Sequence, residues 1–355
     1  MALNIYESLL AGLKDRLERL ERPPVITITT DFGQYDGYVG TMKGVIYTLL
    51  PDAVVVDISH DVSPQQIHEG AFILYRAYRY FPASAIHIAV VDPGVGSERR
   101  PILLQTRHGI FVGPDNGIFT YVLRAEQIPL PDPNLDRAPI WAGGMWGVAP
   151  NWAGDESGTE MPAGAEHDYP EAEGHASDGL PKAYHLVNPD YWLPTVSSTF
   201  HARDIFVPVA THLASGAQPE RMGKRIRIDS LVTLPLNAPR VAGSGRGTTI
   251  LGQVVHVDRF GNIITNLPDA LLGPMLADAT AAPVVEIGDH RIFGLGLAYA
   301  DVREGQPVAL MGSEGLLEIA VRNSNAAQRM KIRPGDPVRI ILNRLEDKPL
   351  SGPLV

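Results

Sequence analysis

An apolar run, Ala85-Ile86-His87-Ile88-Ala89-Val90-Val91, stops abruptly at Asp92-Pro93-Gly94-Val95-Gly96. No other feature constrains the fold as much. A run of that length, rich in β-branched residues and ended by turn residues, reads as a strand covered on both faces. It is the third strand in a regular alternation. Val25 to Thr29 reads as a strand, Tyr38 to Leu50 as a helix ending at Pro51, Ala53 to Ile58 as a strand, and Ile67 to Tyr80 as a helix. Strands alternating with helices imply a mainly parallel sheet with helices on both faces. Such sheets collect their chemistry just beyond the carboxyl ends of the strands, where Asp31 and Asp92 lie.

Further along, Ile102 to Gln105 and Gly109 to Val112 read as a hairpin leading into Gly113-Pro114-Asp115-Asn116-Gly117, with a helix from Phe119 and another from Ile205 to Ser215. At 355 residues the chain is long enough for two domains. The pattern divides it into an N-terminal helical extension (1–22), an α/β domain (23–236) and a smaller antiparallel β-barrel domain (237–355). The barrel is expected from short β-like runs at 248–258, 284–287, 290–293, 307–311, 316–321 and 337–342, separated by Gly and Pro with little helical periodicity. Residues 129–182 break the alternation: this Gly-, Pro- and Trp-rich stretch carries acids but no Lys or Arg from Asp155 to Asp178, and reads as a surface insertion. Its Trp141, Trp146 and Trp152 suit aromatic anchors of a loop, or a lid or subunit contact.

Composition excludes several function classes. With 45% hydrophobic and 20% charged residues the chain is of ordinary globular type. A net charge of −10 without a Lys/Arg cluster argues against nucleic acid and is compatible with a cationic ligand. The absence of cysteine rules out disulfides, thiolate metal sites and a cysteine nucleophile. No apolar stretch reaches the ~20 residues of a membrane span and no signal-peptide pattern opens the chain, so a cytoplasmic location and no membrane partner are expected. The apolar spacing of the first helix suits packing on the domain or on a neighbouring subunit.

The candidate catalytic residues come from two distant segments, Asp92-Pro-Gly-Val-Gly-Ser-Glu-Arg99-Arg100 and Ser197-Ser-Thr-Phe-His201-Ala-Arg-Asp204. They supply a carboxylate (Asp92), a guanidinium (Arg99) and an imidazole (His201). Singly, each has a plain structural alternative: an aspartate at a strand end caps turns, an arginine in Glu-Arg-Arg is solvated, and a lone histidine packs in a core. Asp31 in Thr29-Thr30-Asp31-Phe32-Gly33 suits either a helix cap or a ribose diol, which a carboxylate binds through two oxygens. Phe260-Gly261-Asn262 is by itself a commonplace turn. No Gly-x-Gly-x-x-Gly turn follows the first strand, which disfavours a Rossmann methyltransferase.

Together these motifs resemble the S-adenosyl-L-methionine hydrolases (hydroxide adenosyltransferases), relatives of fluorinases and chlorinases. The resemblance covers about 25–125 and 185–345. It implies hydrolysis of S-adenosyl-L-methionine to adenosine and L-methionine, by attack of activated water or hydroxide on the ribose 5′ carbon, with Asp92, Arg99 and His201 as catalytic residues. No cofactor and no metal are implied. Substrate-binding positions carried over are Asp31 for the ribose, Asp36 and Asp258 for the ammonium, Phe260, Asn262 and Tyr299 for adenine, and Ser313 for the carboxylate. Tyr38 and Glu314 depart from the halogenases, which have serine and arginine there. The resemblance also implies a homotrimer with sites between subunits. Two other readings are a halide-dependent adenosyltransferase, which a carboxylate at Asp92 opposes by repelling halide, and a non-catalytic S-adenosylmethionine- or adenosine-binding protein.

Overall fold

The computed structural model describes residues 23–127, 180–243, 248–276 and 281–344. The expected helix at 1–22 and, of the insertion, residues 129–179 with their three tryptophans lie outside the described residues. The described chain falls into two compact units, one formed by 23–127 and 180–234 and the other beginning at Pro235.

In the first unit β1 (Val25–Thr30), β2 (Val54–Ser59), β3 (Ile86–Val90), β4 (Pro101–Thr106), β5 (Gly109–Pro114), β6 (Lys182–Leu186) and β7 (Gly223–Ile226) form one sheet, ordered β2-β1-β3-β5-β4-β6-β7. The first three pairings are parallel and the remaining three antiparallel, so the sheet is parallel at one end and mixed as a whole. Helices α1 (Tyr38–Leu49) and α4 (Val207–Ala214) cover one face, burying Met42, Ile46, Val207 and Ala210 against Ile26 and Ile28 of β1. On the other face lie α2 (Ile67–Tyr78) and α3 (Thr120–Gln127), joined by Phe72 and Tyr121 with ring centroids 5.5 Å apart. The burial on both faces explains why the strands are apolar runs rather than alternating ones.

β1 carries Thr27, Thr29 and Thr30, all fully buried. Two of these three hydroxyls are paired with histidines. Thr27 Oγ1 lies 2.8 Å from His87 Nδ1 on β3, and Thr30 Oγ1 lies 2.7 Å from His60 Nδ1 beyond β2. Strand β1 sits between β2 and β3, and the chain leaves it first one way and then the other. This reversal opens a crevice beyond the carboxyl ends of β1 and β3, the place an open α/β sheet offers a ligand.

The strands of the second unit are β8 (Arg240–Ala242), β9 (Thr248–Val257), β10 (Ile263–Pro268), β11 (Ala281–Ile287), β12 (His290–Phe293), β13 (Pro307–Met311), β14 (Leu316–Val321) and β15 (Pro337–Arg344). They form a single antiparallel sheet ordered β12-β11-β15-β9-β10-β14-β13, with β8 added beside β9. Just past β12, the Gly296 N–H donates to Ala309 O of β13 at 2.8 Å, so the sheet nearly closes into a barrel. Ile250, Val254, Ile263, Leu317, Ile319, Val338 and Ile340 fill its interior. Strands β8 and β10 and the short helices α5 (Asp269–Leu276) and α6 (Ala326–Met330) go beyond the sequence expectation. Every residue of β10 is buried, which erases the alternation that would mark a strand in the sequence. Among the described residues no helix is long and apolar enough to cross a membrane, and no group of three or more His, Asp or Glu is arranged to hold a metal ion.

Candidate active site

Asp31 directly follows β1, and Asp92 lies two residues past the end of β3, which pairs with β1 in parallel register. Both carboxylates line one open cleft of about 400 Å³, together with Phe32, Tyr38, Gln65, Pro93 and Val95. Behind its cleft-facing position Asp92 receives Arg99: Nε donates to Oδ1 at 3.0 Å and to Oδ2 at 2.9 Å, and Nη2 donates to Oδ2. The same Nη2 lies 3.0 Å from His201 Nδ1. The three residues named from the sequence thus meet as one bonded cluster, although 102 positions separate Arg99 from His201. The Asp92 and Arg99 side chains are only 4% and 8% exposed, so this pair is screened from bulk water. The Arg99 guanidinium also packs over the Phe206 ring at 5.4 Å.

A guanidinium has only donors, so the His201 Nδ1 that faces it must present a lone pair. A neutral ring therefore carries its proton on Nε2. Burial and, next, the Arg99 charge depress the His201 pKa below its usual 6.5, against the opposing pull of Asp92 and Asp204. Neutral His201 is the form the cluster favours.

The surrounding chain holds this cluster by close approach and buried polar bonds. Gly96 has φ +79°, and a Cβ there would stand 2.6 Å from Ser198 O, so only glycine lets the 92–99 loop touch the segment bearing His201. Asn116 Nδ2 donates to Val91 O at 2.8 Å, fixing the end of β3 just before Asp92. The second arginine of Glu98-Arg99-Arg100 is structural: Arg100 Nε donates to the buried Asp115 at 2.8 Å. Asp115 in turn accepts from the Val232 N–H at 2.8 Å.

Asp31 Oδ2 accepts the Gln65 N–H at 2.8 Å, which directs the carboxylate along the cleft. Gln65 escaped the sequence reading. Its φ of +66° is uncommon for a residue with a side chain, and such backbone conformations gather at functional sites. Nothing in Ser63-Pro64-Gln65-Gln66 announces it. Phe32, Tyr38 and Phe200 form an aromatic trio with centroid separations of 5.2–5.9 Å, two of its members lining the cleft. Asp36 is exposed and stands apart from that lining.

The remaining candidates belong to the second unit. Asp258 knits the β9–β10 turn, with Oδ1 accepting the N–H groups of Phe260 and Asn262 at 2.9 and 2.8 Å, and Oδ2 accepting Asn262 Nδ2 at 3.1 Å. The turn presents Phe260, 77% exposed, at its tip. Gly261 at φ +87° is required there, because a Cβ would collide with Asn325. Tyr299 donates its hydroxyl to Glu318 Oε1 at 2.6 Å, while Ser313 lies exposed in the β13–β14 turn, where its Oγ is 3.4 Å from Glu314 Oε1.

Residues 26–135 and 173–223 match the model of the SAM hydroxide adenosyltransferase N-terminal domain, and residues 252–339 match that of the C-terminal domain. The chain is 32% identical to an (R)-S-adenosyl-L-methionine hydrolase of Thermus thermophilus, over 88% of this chain and 97% of the relative. It is 33% identical to the hydrolase of that name from Salinispora arenicola, over 89% and 97%. A fluorinase of Nocardia brasiliensis is 24% identical over 90% of this chain and 97% of its own. Among solved structures, an uncharacterized conserved protein from Thermotoga maritima superposes with a TM-score of 0.69 at 29% identity, covering 89% of this chain and 99% of that one. By domain content and by identity over most of its length, the chain belongs to the SAM hydroxide adenosyltransferase family.

Proposed function

We propose that the protein hydrolyses S-adenosyl-L-methionine to adenosine and L-methionine, taking the R configuration at sulfur that its hydrolase relatives' names specify. The observation that carries this reading is the Asp92–Arg99–His201 cluster, with Asp92 facing a cleft that also holds Asp31. A sulfonium leaves as a neutral thioether, so the leaving group needs no acid. Water is the weak partner and must be oriented and deprotonated.

Asp92 is the cluster member that lines the cleft, so it accepts the water's hydrogen bond and takes its proton as the new C–O bond forms and the C–S bond breaks. Arg99 fixes the carboxylate through both oxygens. His201, whose Nδ1 lone pair is directed at Arg99, holds the guanidinium in register. Water and a sulfonium cation yield adenosine, methionine and one proton, which Asp92 passes to solvent. Asp31 binds the ribose hydroxyls. The aromatic walls Phe32 and Tyr38 suit a sulfonium cation.

We further propose that the working assembly is a cytoplasmic homotrimer needing no cofactor, in which Asp258, Phe260, Asn262, Tyr299 and Ser313 of a neighbouring copy complete each site. Light scattering at three times the 38.5 kDa chain mass tests the assembly. For the reaction, purified protein is incubated with the R and S epimers in oxygen-18 water and the adenosine analysed by mass spectrometry. Label at the 5′ hydroxyl, formed from the R epimer, is expected. A 5′-halo nucleoside formed in chloride would favour the halide-transferring alternative, and binding without turnover would favour a non-catalytic binder.

A further inference from the structure

His201 does not hold its own position. It sits between Phe200 and Ala202, at the start of a single π-helical turn, Ala202–Phe206, that precedes α4. Widened turns of this kind recur at functional sites and need local support. The support here is Asp204. Its side chain is fully buried and makes bonds in two directions. Toward the preceding loop, Oδ2 accepts the Ser197 N–H at 2.8 Å. Toward its neighbour, Oδ1 accepts Arg203 Nε at 2.5 Å and Oδ2 accepts Arg203 Nη2 at 3.0 Å. Its main chain is tied as well, with Asp204 N–H donating to Phe200 O at 3.1 Å and Asp204 O accepting from Leu193 N–H at 2.9 Å. Ser197 Oγ returns the connection by accepting the Phe200 N–H at 3.0 Å.

These bonds close a ring around residues 197–204, and His201 hangs from the middle of it. The ring reaches the cleft by a second route: Arg203, held by Asp204, stacks over the Phe200 ring at 5.0 Å, and Phe200 packs edge-on against the cleft residues Phe32 and Tyr38. A buried carboxylate is costly unless every lone pair is used for something specific.

We propose that Asp204 is a positioning residue of the reaction, clamping the 197–204 segment so that His201 Nδ1 is presented to Arg99 and Phe200 to the cleft wall. The inference rests on the hydrolase reading for its kinetic arm and on geometry alone for its spectroscopic arm. The experiment uses the full chain labelled with nitrogen-15 in histidine, with the His201 signal assigned through His201→Gln. In the wild type, His201 gives the pattern of one tautomer, protonated on Nε2. In Asp204→Asn that pattern averages between tautomers, kcat falls about ten- to a hundredfold, and KM stays within about threefold, as expected when a reacting group is misplaced by a fraction of an ångström.

A wild-type tautomer pattern together with kcat within about twofold of wild type would overturn the proposal. Should Asp204→Asn fail to fold, Arg203→Gln removes the other half of the clamp from a partly exposed position. It is expected to show the same spectral averaging with a ~3- to 10-fold loss of kcat, and a wild-type spectrum and rate in that variant would equally overturn the clamp. If the wild type forms no adenosine, the hydrolase reading fails by itself. The tautomer comparison still decides the role of Asp204.

Discussion

The Arg99 guanidinium is shared between a carboxylate and a neutral imidazole, and the chemistry of the site follows from that sharing. Asp92→Asn removes the charge that faces the cleft while keeping the side chain's shape, and kcat is expected to drop by about 10²- to 10⁴-fold, with little change in KM, in steady-state assays. Asp31→Ala acts on binding: losing bonds to two hydroxyls should raise KM by about 10- to 100-fold and leave saturated turnover nearly intact. The pH dependence has a definite sign. His201 is held neutral below its ordinary 6.5, chiefly by burial and then by Arg99. The acid limb of the pH–kcat profile should therefore lie below pH 6.5, and an acid limb above that value would contradict a neutral His201.

At the scale of elements, the 92–99 loop and the 197–204 segment touch through one glycine. Gly96→Ala puts a methyl group 2.6 Å from Ser198 O at a backbone angle that alanine avoids. A loss of about 1–3 kcal/mol in unfolding free energy and a fall in kcat are expected together, measured by urea titration and assay of one preparation. The sequence makes some of these elements legible and hides others. Strands β1 and β3 can be read because apolar runs ending in Asp31-Phe-Gly and Asp92-Pro-Gly have few other interpretations. The π turn cannot, because one extra residue per turn shifts the helical period without leaving a residue-type signal. Gln65 is equally silent, since its conformation is imposed by Asp31 and by the Ile67 N–H that donates to Gln65 O at 3.1 Å, not by local preference. Asp115 and Asn116 could be seen as a turn motif, but only the folded chain reveals that they brace Arg100 and the end of β3.

At the scale of the whole molecule, stability is tied to a histidine outside the cleft lining. His87 lies fully buried in β3, stacked on Phe111 with centroids 4.8 Å apart, and burial pushes its pKa from 6.5 down to about 4. The unfolded chain binds a proton that the native state refuses. Stability from this ring is complete above pH 6.5 and is lost as pH falls toward 4, by about 3 kcal/mol in all. Denaturant melts across that range should show the slope, and His87→Phe should flatten it. Each unit also has its own buried centre, with Ile26, Ile28, Met42 and Phe206 in one and Ile250, Val285, Leu317 and Ile340 in the other.

The parallel register of β1 and β3 has a last consequence. Asp31 and Asp92 hang from neighbouring rods whose spacing is fixed by main-chain hydrogen bonding, so in the proposed reaction the group assigned to the nucleoside and the group assigned to its attacker are mounted independently at a constant offset. Under that assignment, substitutions confined to the loop beyond β3 should alter turnover without loosening the hold exerted from β1.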